Sequence, residues 1–147
     1  MPSLGMKPKV LIVDDEKNIC ESLAAIFTSR GYESKVALSA EQAVEMIAEW
    51  EPDLAILDVG LPKMNGIDLA IALKNGHPSC RVLLFSGQPN TTDLLAQAEA
   101  DGHLFEILAK PVHPTVMLDR AAHLLSPISP EAAKHLKNSI RNYEENI

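Results

Sequence analysis

"LAILDVGLPKMNG", Leu54 to Gly66, runs four apolar residues straight into a carboxylate, Asp58, and then breaks. Pro52 bars a helix from carrying through from the preceding residues. Four apolar residues bounded by turn formers suit a strand in a sheet covered on both faces. Gly60, Pro62, Asn65 and Gly66 are the residues of a loop, so Asp58 stands at the mouth of a buried strand.

The same rhythm repeats on either side. "KVLIV", Lys9 to Val13, is another apolar strand, closed by Asp14 and Asp15. Ile19, Leu23, Ile26 and Phe27 follow at helical spacing and stop near Gly31. "ESKVA" is a more polar strand, suited to an edge. Ser39 with Gln42 three residues on forms a capping box for a helix carrying Ala43, Val44 and Ile47 to Trp50. After "LAIL" come a helix from Gly66 to Lys74, the strand "RVLLF", a helix from Thr91 to Ala100 and the strand "FEILA". Pro114 opens a last helix, expected to turn Met117, Leu118, Ala121, Ala122 and Leu125 inward. Five strands and five helices in strict alternation predict a doubly wound α/β domain with a five-stranded parallel sheet.

The 147 residues suffice for one domain with a real core. Residues 1–8 read as a short tail, 9–125 as the domain and 126–147 as a C-terminal helical extension. In that extension Ser129 is placed to cap, Pro130 takes the first helical position, and Ala133, Leu136, Ile140, Tyr143 and Ile147 form a stripe. Thirteen basic and twenty acidic residues give a net charge of −7, which argues against general affinity for nucleic acid or an anionic membrane. No apolar run approaches the roughly 18 residues of a membrane helix. Cys20 and Cys80 stand apart with no CxxC pair, the pattern of reduced thiols in a cytoplasm. His77, His103, His113, His123 and His135 show no metal-ligand spacing.

Ligands of such sheets bind outside the carboxyl ends of the strands. The first strand delivers Asp14 and Asp15, the third Asp58, the fourth Ser86, and the fifth Lys110 followed by Pro111. Like charges about 4 Å apart repel by roughly 4 kcal/mol at an effective dielectric near 20. Three converging carboxylates therefore need raised pKa values or a cation among them. Mg²⁺ suits an open site of few carboxylates, and the Gly60 carbonyl can add an oxygen. With Lys110 as a fixed positive charge and Ser86 as a donor, these groups describe a pocket for a phosphoryl group. Asp58 can be its nucleophile, because an ionised carboxylate needs no general base.

At "VLIVDDE", "PDLAILDVGLPKMNG", "LLFSG" and "LAKPV" the chain closely resembles a response-regulator receiver domain of two-component signalling. The resemblance runs from about Lys9 to Leu125. It implies a flavodoxin-like sheet of order 2-1-3-4-5, with Asp58 as phospho-acceptor. It also implies that Asp15, Asp58 and the Gly60 carbonyl hold Mg²⁺ or Mn²⁺, and that Asp14 acts through a water. Ser86 and Lys110 would report phosphorylation to the rest of the fold. The implied partners are a sensor histidine kinase or a histidine phosphotransfer protein, and a second copy of the chain, with no nucleic acid or membrane. The unpaired cysteines suit a cytoplasmic protein and the segment after Leu125 is short for an output domain, so the expected role is that of a stand-alone signalling module, not an enzyme.

Two departures stand out. The family's usual Tyr or Phe three residues before the lysine is Ile107 here, with Phe105 two residues earlier on the same strand face. The segment from Ser86 to Lys110 is also longer than usual around "EADGHLFE". Ile107 keeps open a module that signals without phosphorylation. A phosphatase of the haloacid-dehalogenase type shares the Asp, Ser and Lys set, but its second carboxylate, two residues after the nucleophile, is Gly60 here.

Overall fold

The computed structural model describes residues 7–87, 91–103, 105–126, 138, 140 and 141. Its elements are β1 (Lys9–Val13), α1 (Lys17–Ser29), β2 (Glu33–Ala37), α2 (Ala40–Glu49), β3 (Leu54–Asp58) and α3 (Gly66–Gly76). They continue with β4 (Arg81–Ser86), α4 (Thr91–Ala100), β5 (Glu106–Ala109) and α5 (Pro114–Leu125). The strands form one sheet of order β2-β1-β3-β4-β5, every pairing parallel, as the alternation predicts.

Strand alternation splits the core into two layers. Leu11, Val13, Ala55, Leu57, Val82 and Leu84 pack with Ala43 and Ile47 of α2 and with Leu69 and Leu73 of α3. Val10, Ile12, Leu54, Ile56, Leu83 and Phe85 pack on the other face, against Leu23 and Phe27 of α1 and Met117 and Ala121 of α5. All five residues of β3 are buried, which fits a central strand covered on both sides. At the β2 edge Glu33 and Lys35 face solvent, and Trp50 lies beneath the Lys9 and Lys35 ammonium groups at 5.9 and 5.0 Å.

Local chemistry sets the helix starts. Ser39 Oγ accepts from the Gln42 backbone N–H at 3.0 Å, and Gln42 Oε1 accepts from the Leu38 N–H at 2.7 Å. Asn65 Oδ1 accepts from the Asp68 N–H at 2.9 Å and opens α3 directly behind the loop that leaves Asp58. His113 Nδ1 takes the Thr115 N–H at 3.1 Å, with Pro114 beginning α5.

Some details differ from the sequence reading. Helix α3 runs on to Gly76, because the His77 N–H still reaches the Leu73 carbonyl. Phe105 lies just outside β5. Val44 is 51% exposed on α2, and Ala122 faces solvent instead of the core. The inward stripe of α5 is Met117, Leu118, Ala121, Leu124 and Leu125, a run that skips Ala122 by helical geometry. Of the expected C-terminal extension, Asn138, Ile140 and Arg141 are helical and exposed. Its other named positions lie outside the described residues, as do residues 1–6 of the N-terminal tail. Pro8 offers its carbonyl to the Glu33 N–H at 2.9 Å.

Candidate functional site

Side-chain parity assembles the site. Asp14 follows Val10 and Ile12 by steps of two, Asp58 follows Leu54 and Ile56, and Lys110 follows Leu108, so all three belong to the α1/α5 face. Ser86 follows Leu84 and falls on the opposite face, with Ile107 and Phe105. The ends of β1, β3 and β5 thus deliver two acids and one base to the same spot at the carboxyl edge. Asp15, one residue further along, comes in from the exposed start of the β1–α1 turn.

The distances bear this out. Lys110 Nζ donates to Asp14 Oδ2 at 3.2 Å and lies 3.4 Å from Asp58 Oδ1. Asp58 Oδ1 also accepts from the Gly60 N–H at 3.1 Å, and Asp14 Oδ1 accepts from the Glu16 N–H at 2.9 Å. Asp14 is wholly buried, Asp58 nearly so, and Ser86 is buried at the end of β4. Carboxylate oxygens of Asp14, Asp15 and Asp58 all lie within 4.8 Å of one another. Of the sequence-selected residues, Asp14, Asp15, Asp58 and Lys110 therefore meet. The direct Lys110–Asp14 bond was not foreseen, although their shared parity carries the signal for it.

The loop after β3 is held as tightly as the strand. The Gly66 N–H donates to the Val59 carbonyl at 3.1 Å, folding α3 back onto the end of β3. Gly87 passes beside the stem of Lys110, where a side chain would lie 3.6 Å from its Cδ. The peptide bond between Lys110 and Pro111 is cis.

Electrostatics follow from this crowding. Burial raises the Asp14 carboxyl above its ordinary range and the Asp58 charge adds to that, while the Glu16 N–H and Lys110 offset only part. For Lys110, burial works against the ammonium, but Asp58 and Asp14 together outweigh it and hold its pKa above the usual value. Three carboxylates against one ammonium leave an acidic, oxygen-only donor set, the chemistry a hard divalent cation fits. The thiols take no part. Burial pushes Cys80 up to about 12 and Cys20 up to about 11, and the Cys20 Sγ donates to the Asp14 carbonyl at 3.2 Å.

In metal-free protein the folded state binds the Asp14 proton more tightly than the unfolded chain does. Stability therefore falls as pH rises from the ordinary carboxylate value of 3.8 through the raised folded one. Asp14→Asn is expected to stabilise the metal-free protein by about 1 kcal/mol at neutral pH and to flatten that dependence. Urea titrations in a chelator across acidic and neutral pH would measure it, and an unchanged pH slope would contradict the assignment.

The sheet order and the gathering of acids and a lysine at one edge define a receiver. The chain belongs to the response regulator receiver domain family, whose model matches residues 10–122. It is similar to the DNA-binding response regulator MtrA of Mycobacterium tuberculosis, 29% identical over 133 residues that cover 89% of this chain and 56% of MtrA. It is also similar to the response regulator MprA of Mycobacterium bovis, 28% identical over 128 residues, 87% of this chain and 55% of MprA. The chain thus spans little more than half the length of these curated relatives. Among solved structures it resembles the signal receiver domain of an HD domain-containing protein from Pseudomonas fluorescens. That match has a TM-score of 0.74 and 29% identity, covering 81% of this chain and 94% of the other. A CheY-like receiver domain protein from Methanospirillum hungatei matches with a TM-score of 0.73 and 25% identity, over 88% of this chain and 98% of its own. Among the described residues, no helix is long and apolar enough to cross a membrane.

Proposed function

We propose that this receiver accepts a phosphoryl group on Asp58 from a phosphohistidine donor and signals by changing a protein-binding surface. The observation that carries the reading is Asp58 itself, nearly buried at the end of β3, with one oxygen held by the Gly60 N–H and Lys110. A carboxylate so held is oriented before the donor arrives, which is the positioning phosphoryl transfer depends on. Lys110 would leave Asp14 for the oxygens of the incoming group, and Ser86 would donate its hydroxyl to one of them. Asp15, Asp58 and the Gly60 carbonyl would hold Mg²⁺ or Mn²⁺, with Asp14 acting through a water. The cation's contribution when bound is to neutralise charge on the phosphoryl oxygens.

The donor is a sensor histidine kinase or a histidine phosphotransfer protein, acting in the cytoplasm. The net charge of −7 favours a protein, including a second copy of this chain, over nucleic acid as the direct partner of this domain. Gly60 stands where a dehalogenase-type phosphatase needs its acid/base carboxylate, which favours a switch over an enzyme. The domain boundaries follow the same reading, with 9–125 as the receiver and 126–147 as an added helical segment.

Incubation with Mg²⁺ and a radiolabelled small phosphodonor should give one hydroxylamine-labile label per chain. Asp58→Asn, or a chelator, should abolish it. Labelling that persists in Asp58→Asn would sink the assignment of the nucleophile, and rapid p-nitrophenyl phosphate hydrolysis that needs Asp58 would favour the phosphatase.

A further inference from the structure

The charged site has an aromatic floor. Lys110 Nζ lies over the Phe85 ring, 4.7 Å from its centroid, and also meets Asp14 and Asp58 at 3.2 and 3.4 Å. Phe85 is 2% exposed and sits on β4 in register with Asp58 on one neighbour and Leu108 on the other. Its strand position gives it the parity of Asp58 and Lys110, so the ring is directed to the face where the ammonium arrives. The backbone ties the same three points together. The Val59 N–H donates to the Phe85 carbonyl at 3.0 Å, and the Lys110 N–H to the Ser86 carbonyl at 2.9 Å.

Lysine is a flexible residue with a mobile point charge, and two carboxylates alone do not dictate where between them that charge rests. A ring face carries negative quadrupole and attracts a cation, most strongly where water is excluded. The side chain of Lys110 is only 23% exposed. Its stem passes Gly87, where a Cβ would stand 3.6 Å from Cδ, and its head rests on the ring. Resting on the proposed role of Asp58, we infer that Phe85 is a positioning residue for phosphoryl binding. Its ring holds the Lys110 ammonium at the site in advance, so that binding an anion there does not have to order it.

Phe85 and Lys110 both line the groove of about 590 Å³ between α1 and α5, beside Pro111 and Met117. That space lets the ring be altered with little steric penalty. Replacing Phe85 by pentafluorophenylalanine keeps the shape and reverses the sign of the face. The expected result is an affinity for beryllofluoride, with Mg²⁺ present, lower by about 5- to 30-fold and a thermal midpoint nearly unchanged. Phe85→Leu should lose a similar factor, and Phe85→Tyr, which keeps the face, should restore it.

A second readout needs neither ligand nor metal. The ε-methylene protons of Lys110 should be shifted upfield by the ring in the wild-type NMR spectrum and return to ordinary values in Phe85→Leu. Equal beryllofluoride affinity in the wild-type and pentafluorophenylalanine proteins would overturn the inference, as would ordinary Lys110 shifts in the wild type. If the wild type binds no beryllofluoride at all, the phospho-acceptor reading fails, and the Lys110 shifts alone then decide for or against the role of Phe85.

Discussion

Gly66→Ala is expected to destabilise the domain by about 3 kcal/mol or more, an unusually large effect for one methyl group. A Cβ at this position would stand 2.2 Å from the Asp58 carbonyl oxygen, 2.7 Å from its carbonyl carbon and 2.9 Å from Val59 Cα. All three are backbone atoms, so no side chain can swing aside. Either the first turn of α3 lifts off β3 or the end of β3 moves, and the latter carries Asp58 with it. The variant should therefore lose phosphoryl acceptance along with stability. Gly76→Ala, at the far end of the same helix, is the matched control. Nothing lies within 4 Å of its would-be Cβ, and removing a helical glycine should be neutral or stabilising by up to about 1 kcal/mol. Urea midpoints of the two variants would compare them, and equal losses would show that the close approach at Gly66 is not what matters.

Lys110→Met is expected to lower affinity for beryllofluoride by roughly 100-fold, because the ammonium paired with Asp14 and Asp58 is removed while its apolar stem is kept. It should also change how stability responds to pH. Without the ammonium, the buried Asp14 and Asp58 face one another with less compensation. The folded state then takes up protons more readily than the unfolded chain, so metal-free Lys110→Met should gain more stability than the wild type as pH is lowered from neutral. Added Mg²⁺ should recover part of the loss at neutral pH. An affinity within twofold of the wild type would contradict the role given to Lys110.

Most of the sheet was legible because its strands are short, apolar and punctuated by Pro, Gly and charge. "LAIL" and "KVLIV" could hardly be anything else, and reading every second residue back from Asp14, Asp58 and Lys110 places the three on one face. The carboxyl-edge rule then points to the site residues. What was hidden depends on contacts between elements. The side of α5 that Ala122 takes is set by its rotation against β4 and α1, which spacing alone leaves free within a residue. The close approach of Gly66 to β3 is a property of how α3 docks, and the sequence marks the glycine only as the end of a loop and the start of a helix. Lys63 takes a φ of 66°, a conformation usually left to glycine or asparagine, with no local signal for it. In the sequence Phe85 is one more apolar strand residue, and only the fold brings the Lys110 ammonium over its ring.

The departure at Ile107 has a structural counterpart. Ile107 and Phe105 are both half-buried against the α2/α3 layer, on the side of Ser86, and the Phe105 ring stacks on His103 with centroids 6.1 Å apart. The aromatic ring that meets the charged site lies on the other side of the sheet, at Phe85.

The central claim is that Asp58 takes the phosphoryl group, and locating the modified residue tests it most directly. The protein is incubated with Mg²⁺ and a small phosphodonor, reduced with borohydride to trap the acyl phosphate, digested and sequenced by mass spectrometry. Reduction should convert Asp58, within "LAILDVGLPK", to the homoserine that marks a reduced aspartyl phosphate. Finding that mark at Asp14, at Asp15 or at no aspartate would contradict the account.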